Sequence, residues 1–505
     1  VANDNNITLK DEPGLYKSSI RGGFWVFFLQ LVSRVLGFGK TLVVVNYLFL
    51  DDLGLIAVAI MLMSILDTFS ESGFQSALVQ KKGDIREYLD TAWVVAITRS
   101  VILFAVLYFS APVFASFKVP DEKMGLAISV IRITGLCLLI QGFSNVGAVY
   151  FEKELDFRKR FMIAVSTTTT DIVFSVVLVI IYRSIWGYIA ARLISVVVGC
   201  VMSYVLCPYR PRFRFRIEKA KNLWDFGRWI FGTRVLGFMI SEGDDFFVWF
   251  YLGLPSLALY RYAFRFATMP GSHISEVISS VTFPAYSKIQ QDCVRLRDAY
   301  LKVLKSTALL SLPSAFLIFF LGPYFVRLFL PDRMHGMTLV LQILALKGLM
   351  SSVSATYGPV FKAIGKPRIM WHVAILCLVV LAVTIYPFTR MWGIAGTASA
   401  TVLVGLLTNP LYFFLTKKVL HCSFRQMSQS LLPPFGASAL MLAVLLACKW
   451  FLFREIGFIL FFGLAIIGLI AYLIAMWMID AAFKCGFREI VVEFTGVMYK
   501  RVRRA

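Results

Sequence analysis

Charge is scarce in this chain. Asp, Glu, Lys and Arg make up 16% of its 505 residues, too little to cover the surface of a soluble protein of this length. Only four His occur, scattered along the chain, and none falls in a metal-ligand pair, so no metal site is expected. The eight Cys (137, 200, 207, 293, 377, 422, 448 and 485) form no CxxC pair and mostly lie inside apolar runs. They read as small core residues, which excludes a zinc or disulfide framework. No Walker-type glycine loop is present, so ATP bound to this chain does not drive its work. A cleavable signal peptide is also missing. About eighteen polar residues precede the first apolar run and no small-residue cleavage site follows it, so that run is expected to stay as a helix.

What fills the chain instead is apolar sequence. Hydrophobic residues make up 59%, with 46 Phe and 10 Trp, and the mean hydropathy is +0.76. A bilayer core of about 30 Å needs roughly 20 apolar residues per helix, and runs of that length recur from end to end. They predict an all-α polytopic membrane protein with spans near 19–47, 53–79, 89–117, 124–150, 161–182, 186–208, 225–253, 255–283, 303–328, 337–363, 367–389, 392–416, 431–453 and 456–479.

The net charge of +22 would suit nucleic acid, but its distribution argues against that partner. With the N-terminus inside, 33 Lys and Arg fall in cytoplasmic segments and 8 in outer loops, from Lys118 to Arg454. That asymmetry is the positive-inside signature, and fourteen spans with both termini cytoplasmic preserve it. Every outer loop is short, which leaves no room for a periplasmic catalytic domain. No catalytic residue and no cofactor is expected.

An internal echo divides the spans. Ser33-Arg34-Val35-Leu36-Gly37-Phe38 in span one matches Thr233-Arg234-Val235-Leu236-Gly237-Phe238 in span seven at five of six positions, 200 residues apart. Six helices preserve direction, so the two units are parallel repeats, which typically hold substrate at their interface. The expected organisation is a cytoplasmic tail (1–18), an N-lobe (19–208), a basic linker (209–224), a C-lobe (225–416), a cytoplasmic loop (417–430), a C-terminal helix pair (431–479) and a basic tail (480–505). The two lobes are expected around a central cavity.

Four stretches then carry a family likeness: Asp67–Gln80 (DTFSESGFQSALVQ), Phe151–Arg158 (FEKELDFR), Trp224–Trp229 (WDFGRW) and Val281–Asp292 (VTFPAYSKIQQD). In this order, across essentially the whole chain, they resemble the polysaccharide-transporter (Wzx-type oligosaccharide flippase) branch of the multidrug/oligosaccharidyl-lipid/polysaccharide exporter superfamily. The resemblance implies a flippase in the bacterial cytoplasmic membrane for an undecaprenyl-pyrophosphate-linked repeat unit of O-antigen, capsule or exopolysaccharide. Its partners would be that lipid-linked oligosaccharide, membrane lipids, H⁺ or Na⁺ as a coupling ion, and polysaccharide polymerase or export machinery. The alternatives are a lipid II-type flippase, a multidrug antiporter of the same superfamily, and a membrane glycosyltransferase or ligase.

Ionisable groups inside spans cost several kcal/mol unless they face a cavity or a partner. Ten cations (Arg34, Lys40, Arg99, Arg132, Arg192, Arg228, Arg234, Arg261, Arg265, Lys347) stand against seven anions (Asp67, Glu71, Asp171, Glu242, Asp244, Asp245, Glu276). Arg34 and Arg234 hold equivalent places in the repeat, and Arg261 and Arg265, four apart, share a helix face. Arginine's planar fork suits phosphate oxygens, so these four are the candidate substrate residues, with Tyr260 beside Arg261 as a sugar-stacking candidate. The competing reading pairs them with Asp67, Glu71, Glu242 and Asp245. Asp67, Glu71, Asp244 and Asp245 are the ion-coupling candidates. Arg192 and Arg228, near span ends, are expected to snorkel and receive no role, whereas Lys40 and Lys347 stay ambiguous. Pro270-Gly271 and Pro359 are expected to interrupt their spans and supply bending points. Replacing all four arginines by Ala or Gln should abolish transport; a folded quadruple variant that still transports would return them to ion pairing.

Overall fold

A computed structural model describes residues 32–70, 78, 85–117, 119–153, 157–366, 368–451 and 456–483, without the side chains of 219–235 and of a few other helical positions, Glu276 among them. The N-terminal tail, Glu71 and the C-terminal tail beyond Phe483 lie outside the described residues. Among those residues all regular structure is helical, as the apolar runs require. The helices are α1 (32–47), α2 (Leu50–Ser70), α3 (Arg86–Ser116), α4 (Asp121–Gly142), a short α5 (Val149–Lys153), α6 (Phe157–Tyr182), α7 (Ile185–Leu206), α8 (Ile217–Leu252), α9 (Leu254–Ile289), α10 (Cys293–Phe329), α11 (Thr338–Ser354), a short α12 (Tyr357–Ala363), α13 (Arg368–Leu420), α14 (Phe424–Phe451) and α15 (Phe458–Phe483). The chain divides into two compact units, Val1–Val235 and Leu236–Ala505, with the division inside α8.

Nine stretches among the described residues are long and apolar enough to cross a membrane. Several long helices miss that standard, and α8 and α9, at 36 residues each, carry many of the in-span charges. The 53-residue α13 is two helices joined by a sharp reversal, with Gly393 at φ +57°. A side chain at Gly396 would lie 1.9 Å from the Phe388 carbonyl oxygen, so only glycine lets the two arms close there. In the first unit α6 and α7 meet in the same way: Arg183 takes φ +47°, and a Cβ on Gly187 would sit 2.6 Å from the Leu178 oxygen.

Three sequence expectations need correction. The fourth span, expected as one helix over 124–150, ends at Gly142 and resumes through a 3-10 turn (Val146–Ala148) into α5. Buried Asn145 makes the break: its amide accepts from Gly147 N, its backbone N–H donates to Ser203 Oγ, and its Nδ2 donates to the Tyr209 carbonyl at 2.7 Å. Pro359 interrupts nothing, because the break at Ala355–Thr356 precedes it and Pro359 sits in the first turn of α12, where its missing N–H costs little. Pro270-Gly271 does not interrupt α9 either. Gly271 instead meets Gly348 of α11, where an added Cβ would lie 2.5 Å from the Gly348 oxygen, the close small-residue crossing that membrane helices use.

The basic linker is tied to the first unit. Tyr209 donates its hydroxyl to Asp90 near the start of α3, Arg212 N donates to the same carboxylate at 2.9 Å, and Phe213 packs edge-on against Trp93. Burial first, and then the hydrogen bond to Asp90, push the Tyr209 phenol up, so it stays neutral and donating.

Prolines inside apolar helices pose a sharper problem. Each removes the N–H that would satisfy the carbonyl four residues earlier, and in hydrocarbon no water can take its place. Three of these carbonyls receive a side chain from another helix. Pro112 frees Tyr108 O, which accepts from Arg132 Nε of α4 at 3.1 Å while the guanidinium lies 4.2 Å above the Tyr108 ring. Pro313 frees Leu309 O, which accepts from Tyr472 of α15 at 2.9 Å; Pro323 frees Phe319 O, which accepts from Gln342 of α11 at 3.0 Å. Removing one such donor should cost about 1–3 kcal/mol. Tyr472→Phe is therefore expected to lower the thermal midpoint, and the same change in a Pro313→Ala background, where the helix N–H returns, should cost markedly less.

Candidate functional site

The second unit gathers its charges where α8, α9 and α11 meet. Glu242, Asp244 and Asp245 lie near the end of α8, with Asp244 only 1% and Asp245 8% exposed. Glu242 and Asp245, three apart, share a helix face and both reach Arg261 of α9: Nη1 is 3.2 Å from Asp245 Oδ2, and Nη2 is 3.6 Å from Glu242 Oε2. Asp244 has other partners. Tyr260 donates its hydroxyl to Asp244 Oδ2 at 2.7 Å, Lys347 Nζ of α11 donates to the same oxygen at 3.3 Å, and the Asp245 N–H reaches Oδ1 at 3.1 Å. The Lys347 ammonium also lies 4.4 Å above the Phe264 ring. The Gly271–Gly348 crossing, one residue beyond Lys347, brings α11 close enough to α9 for this contact.

A buried carboxylate without a partner is far costlier than a paired one, and the cluster follows that rule, with Arg261 and Lys347 each placed on acids. Three carboxyls share these two cations and one phenol, and Glu242 Oε2 is buried without a hydrogen bond. Such an arrangement can exchange partners: a proton or a small cation can replace an ammonium on a carboxylate already held in place.

The first unit has a smaller cluster. Lys40 of α1 meets Asp171 of α6 at 2.5 Å, and Tyr188 of α7 lies with its ring centre 5.0 Å from the ammonium. Asp171 Oδ1, Thr134 Oγ1 and Ser175 Oγ are buried without hydrogen bonds among the described residues. Arg192, one turn beyond Tyr188, lines a cavity of about 10 Å³ with Thr134, Cys137 and Tyr188, space for about one water. No carboxylate pairs with Arg192 among the described residues. Asp67 and Arg99 pair between α2 and α3, with Arg99 also donating to the Asp67 carbonyl at 2.8 Å.

The candidate residues therefore fall into different settings. Arg261 stands in ion pairs, and Tyr260 is fully buried with its hydroxyl committed to Asp244, so it offers no face for stacking in this conformation. Arg265 is exposed one turn further along α9, and Arg34 is half-buried on α1. The Arg234 side chain and all of Glu71 lie outside the described residues, as does the Arg228 side chain. Sequence reasoning left Lys40 and Lys347 ambiguous; Lys347 proves to be a partner of buried Asp244 and Lys40 the partner of half-buried Asp171. Arg192, expected to snorkel, lies half-buried on α7 beside its cavity. Its four-residue spacing from Tyr188 was the available signal.

Comparison with known proteins gives these clusters a context. The sequence profile of the polysaccharide biosynthesis protein family matches residues 43–339, more than half the chain. The lipopolysaccharide biosynthesis protein WzxC of Escherichia coli (strain K12) is 24% identical over 432 residues, 84% of this chain and 86% of its own. The teichuronic acid biosynthesis protein TuaB of Bacillus subtilis (strain 168) is 20% identical over 74% of this chain and 76% of its own. Among solved structures, the lipid II flippase MurJ in an inward closed conformation superposes with a TM-score of 0.76 at 19% identity, covering 91% of this chain and 99% of that one; at that identity the likeness is one of fold.

Lys347→Met should strand Asp244 in the interior at a cost of about 3–5 kcal/mol. Lys347→Met with Asp244→Asn should recover most of that loss in thermal unfolding; a single variant as stable as wild type would show that the pair contributes nothing.

Proposed function

Since the chain belongs to the polysaccharide biosynthesis protein family, we propose that it is a flippase that carries an undecaprenyl-pyrophosphate-linked oligosaccharide from the inner to the outer leaflet of the bacterial cytoplasmic membrane. The observation that carries this reading is the basic excess inside the spans, ten cations to seven anions. In the first unit Lys40 pairs with Asp171, while Arg192 has no carboxylate partner among the described residues. A cationic substrate would call for the opposite bias, which sets the multidrug reading aside.

In this reading fourteen spans form two six-helix lobes and a C-terminal pair, with both termini cytoplasmic. The lipid tail stays in the bilayer while Arg34, Arg234 and Arg265 take the charged headgroup. Arg261, held by Asp245 and Glu242, is available to phosphate when those carboxyls take a proton or Na⁺ instead, which gives Asp245 a coupling role; Asp244 would couple in the same way through Lys347. Asp67, paired to Arg99, and Glu71 would serve the same purpose in the first lobe. The lobes then rock and release the headgroup outside. Moving negative charge outward gains about 2.3 kcal/mol per charge per 100 mV, so the membrane potential favours export. The short outer loops leave the chain without a place for glycosyl-transfer chemistry, and polymerisation falls to partner proteins.

Flipping of a fluorescent undecaprenyl-pyrophosphate oligosaccharide in proteoliposomes tests the reading. Wild type should flip it, and Arg34→Ala with Arg234→Ala should lose at least tenfold in rate, about 1.4 kcal/mol, while remaining folded. Wild-type protein inert toward several glycans, beside an active control, would overturn the function; flipping that survives the double variant would overturn the arginine assignment alone.

A further inference from the structure

We propose that the second unit carries a binding site for the headgroup of an anionic glycerophospholipid at the outer face of the membrane, between the C-terminal ends of α10 and α14. The site is a cavity of about 360 Å³ walled by Phe319, Tyr324 and Arg327 of α10, Gln342 of α11, and Leu446 and Lys449 of α14. None of these residues belongs to the clusters described above.

Its two cations stand at one level. Arg327 is the third residue from the end of α10 and Lys449 the third from the end of α14. Leu446 lies about one turn deeper and Phe319 roughly 12 Å deeper along their helices. A basic rim over an apolar trough is the polarity profile of a phosphate carried on acyl chains. Arginine's fork suits phosphate oxygens and lysine adds a point charge.

A cation near a helix C-terminus is favourable on its own account through the helix dipole, but the dipole does not require two such cations to share a cavity. Neither Arg327 nor Lys449 has a carboxylate partner among the described residues. The Lys449 ammonium lies 5.5 Å from the centre of the Tyr324 ring, and that contact holds it over the cavity. Gln342 is already committed to the Phe319 carbonyl freed by Pro323, so that carbonyl is satisfied and makes no demand on a ligand. Trp450 and Phe451, the last residues of α14, are exposed beside the rim, where an interfacial aromatic belt places such side chains.

The trough favours a lipid over free phosphate, and the two positive charges favour an anionic headgroup over a zwitterionic one; phosphatidylglycerol has both properties. The outer placement rests on the orientation proposed above, whereas lipid selectivity does not, so the two can fail separately.

The full-length protein in detergent, offered equal amounts of phosphatidylglycerol and phosphatidylcholine, would be followed by native mass spectrometry. Wild type should retain phosphatidylglycerol in preference. A juxtamembrane cation contributes about 1 kcal/mol, so Arg327→Gln with Lys449→Gln should weaken retention about thirtyfold, or about 2 kcal/mol. Arg327→Lys should keep most of it. Should the double variant unfold in phosphatidylcholine, the single Gln variants, each expected to lose about fivefold, decide instead. Equal retention of both lipids by wild type, or undiminished retention in the Gln variants, would overturn the site. Undecaprenyl phosphate displacing phosphatidylglycerol at equal concentration would overturn the assigned occupant. Arg327→Cys should react with an impermeant maleimide from outside the cell; reaction only from the cytoplasmic side would overturn the outer placement.

Discussion

No water reaches the hydrocarbon core to correct a missing hydrogen bond, so every polar group placed there must be answered by the protein itself. This constraint is visible at single carbonyls. Pro112, Pro313 and Pro323 each leave one helical carbonyl open, and Arg132, Tyr472 and Gln342 close them from neighbouring helices. These bonds link α3 to α4, α10 to α15 and α10 to α11. Each proline thus ties its helix to a neighbour, which gives a defined register to surfaces that hydrophobic burial alone leaves free to slide. Arg132 illustrates the economy of the arrangement, since the same guanidinium stacks on the Tyr108 ring.

Charges obey the same rule at higher stakes. Asp244 is nearly inaccessible and is held by three donors, while Asp245 and Glu242 share Arg261. Satisfying the cluster in this way leaves Arg261 and Lys347 each with an alternative, because a proton or a small cation on the carboxyls would release them. Buried ion pairs of this kind are poor sources of stability. Their presence in a membrane interior is more readily understood as a requirement of transport than of folding. The proposed cycle uses that exchange: the carboxyls hold the arginine until substrate and ion compete for it.

Helix breaks are distributed with similar care. The fourth span breaks at Asn145 and the tenth at Ala355–Thr356, each passing into a short helix, α5 or α12. The hairpins α6–α7 and the two arms of α13 both close on a glycine that lies against the preceding helix. Each of the two units thus contains a helix that breaks into a short helix and a hairpin closed on a glycine.

The sequence by itself determined the class of molecule. Apolar runs of spanning length admit only helices, and four motifs in order point to the family; the Lys and Arg distribution carries the orientation proposed above. It raised ion pairing of its four candidate arginines with Asp67, Glu71, Glu242 and Asp245 as the competing reading, and did not say which arginine meets which acid; the structure puts Arg261 on Glu242 and Asp245. Contacts between helices were not legible. Nothing local to Lys347 or Lys40 indicates which aspartate it meets, 103 and 131 residues away. Nothing local to Pro313 reveals that a tyrosine 159 positions later completes the bond it breaks. Periodicity and propensity report on one helix at a time, whereas these partners are chosen by how helices cross. The Gly271–Gly348 contact, which lets Lys347 reach Asp244, exists only once α9 and α11 are packed.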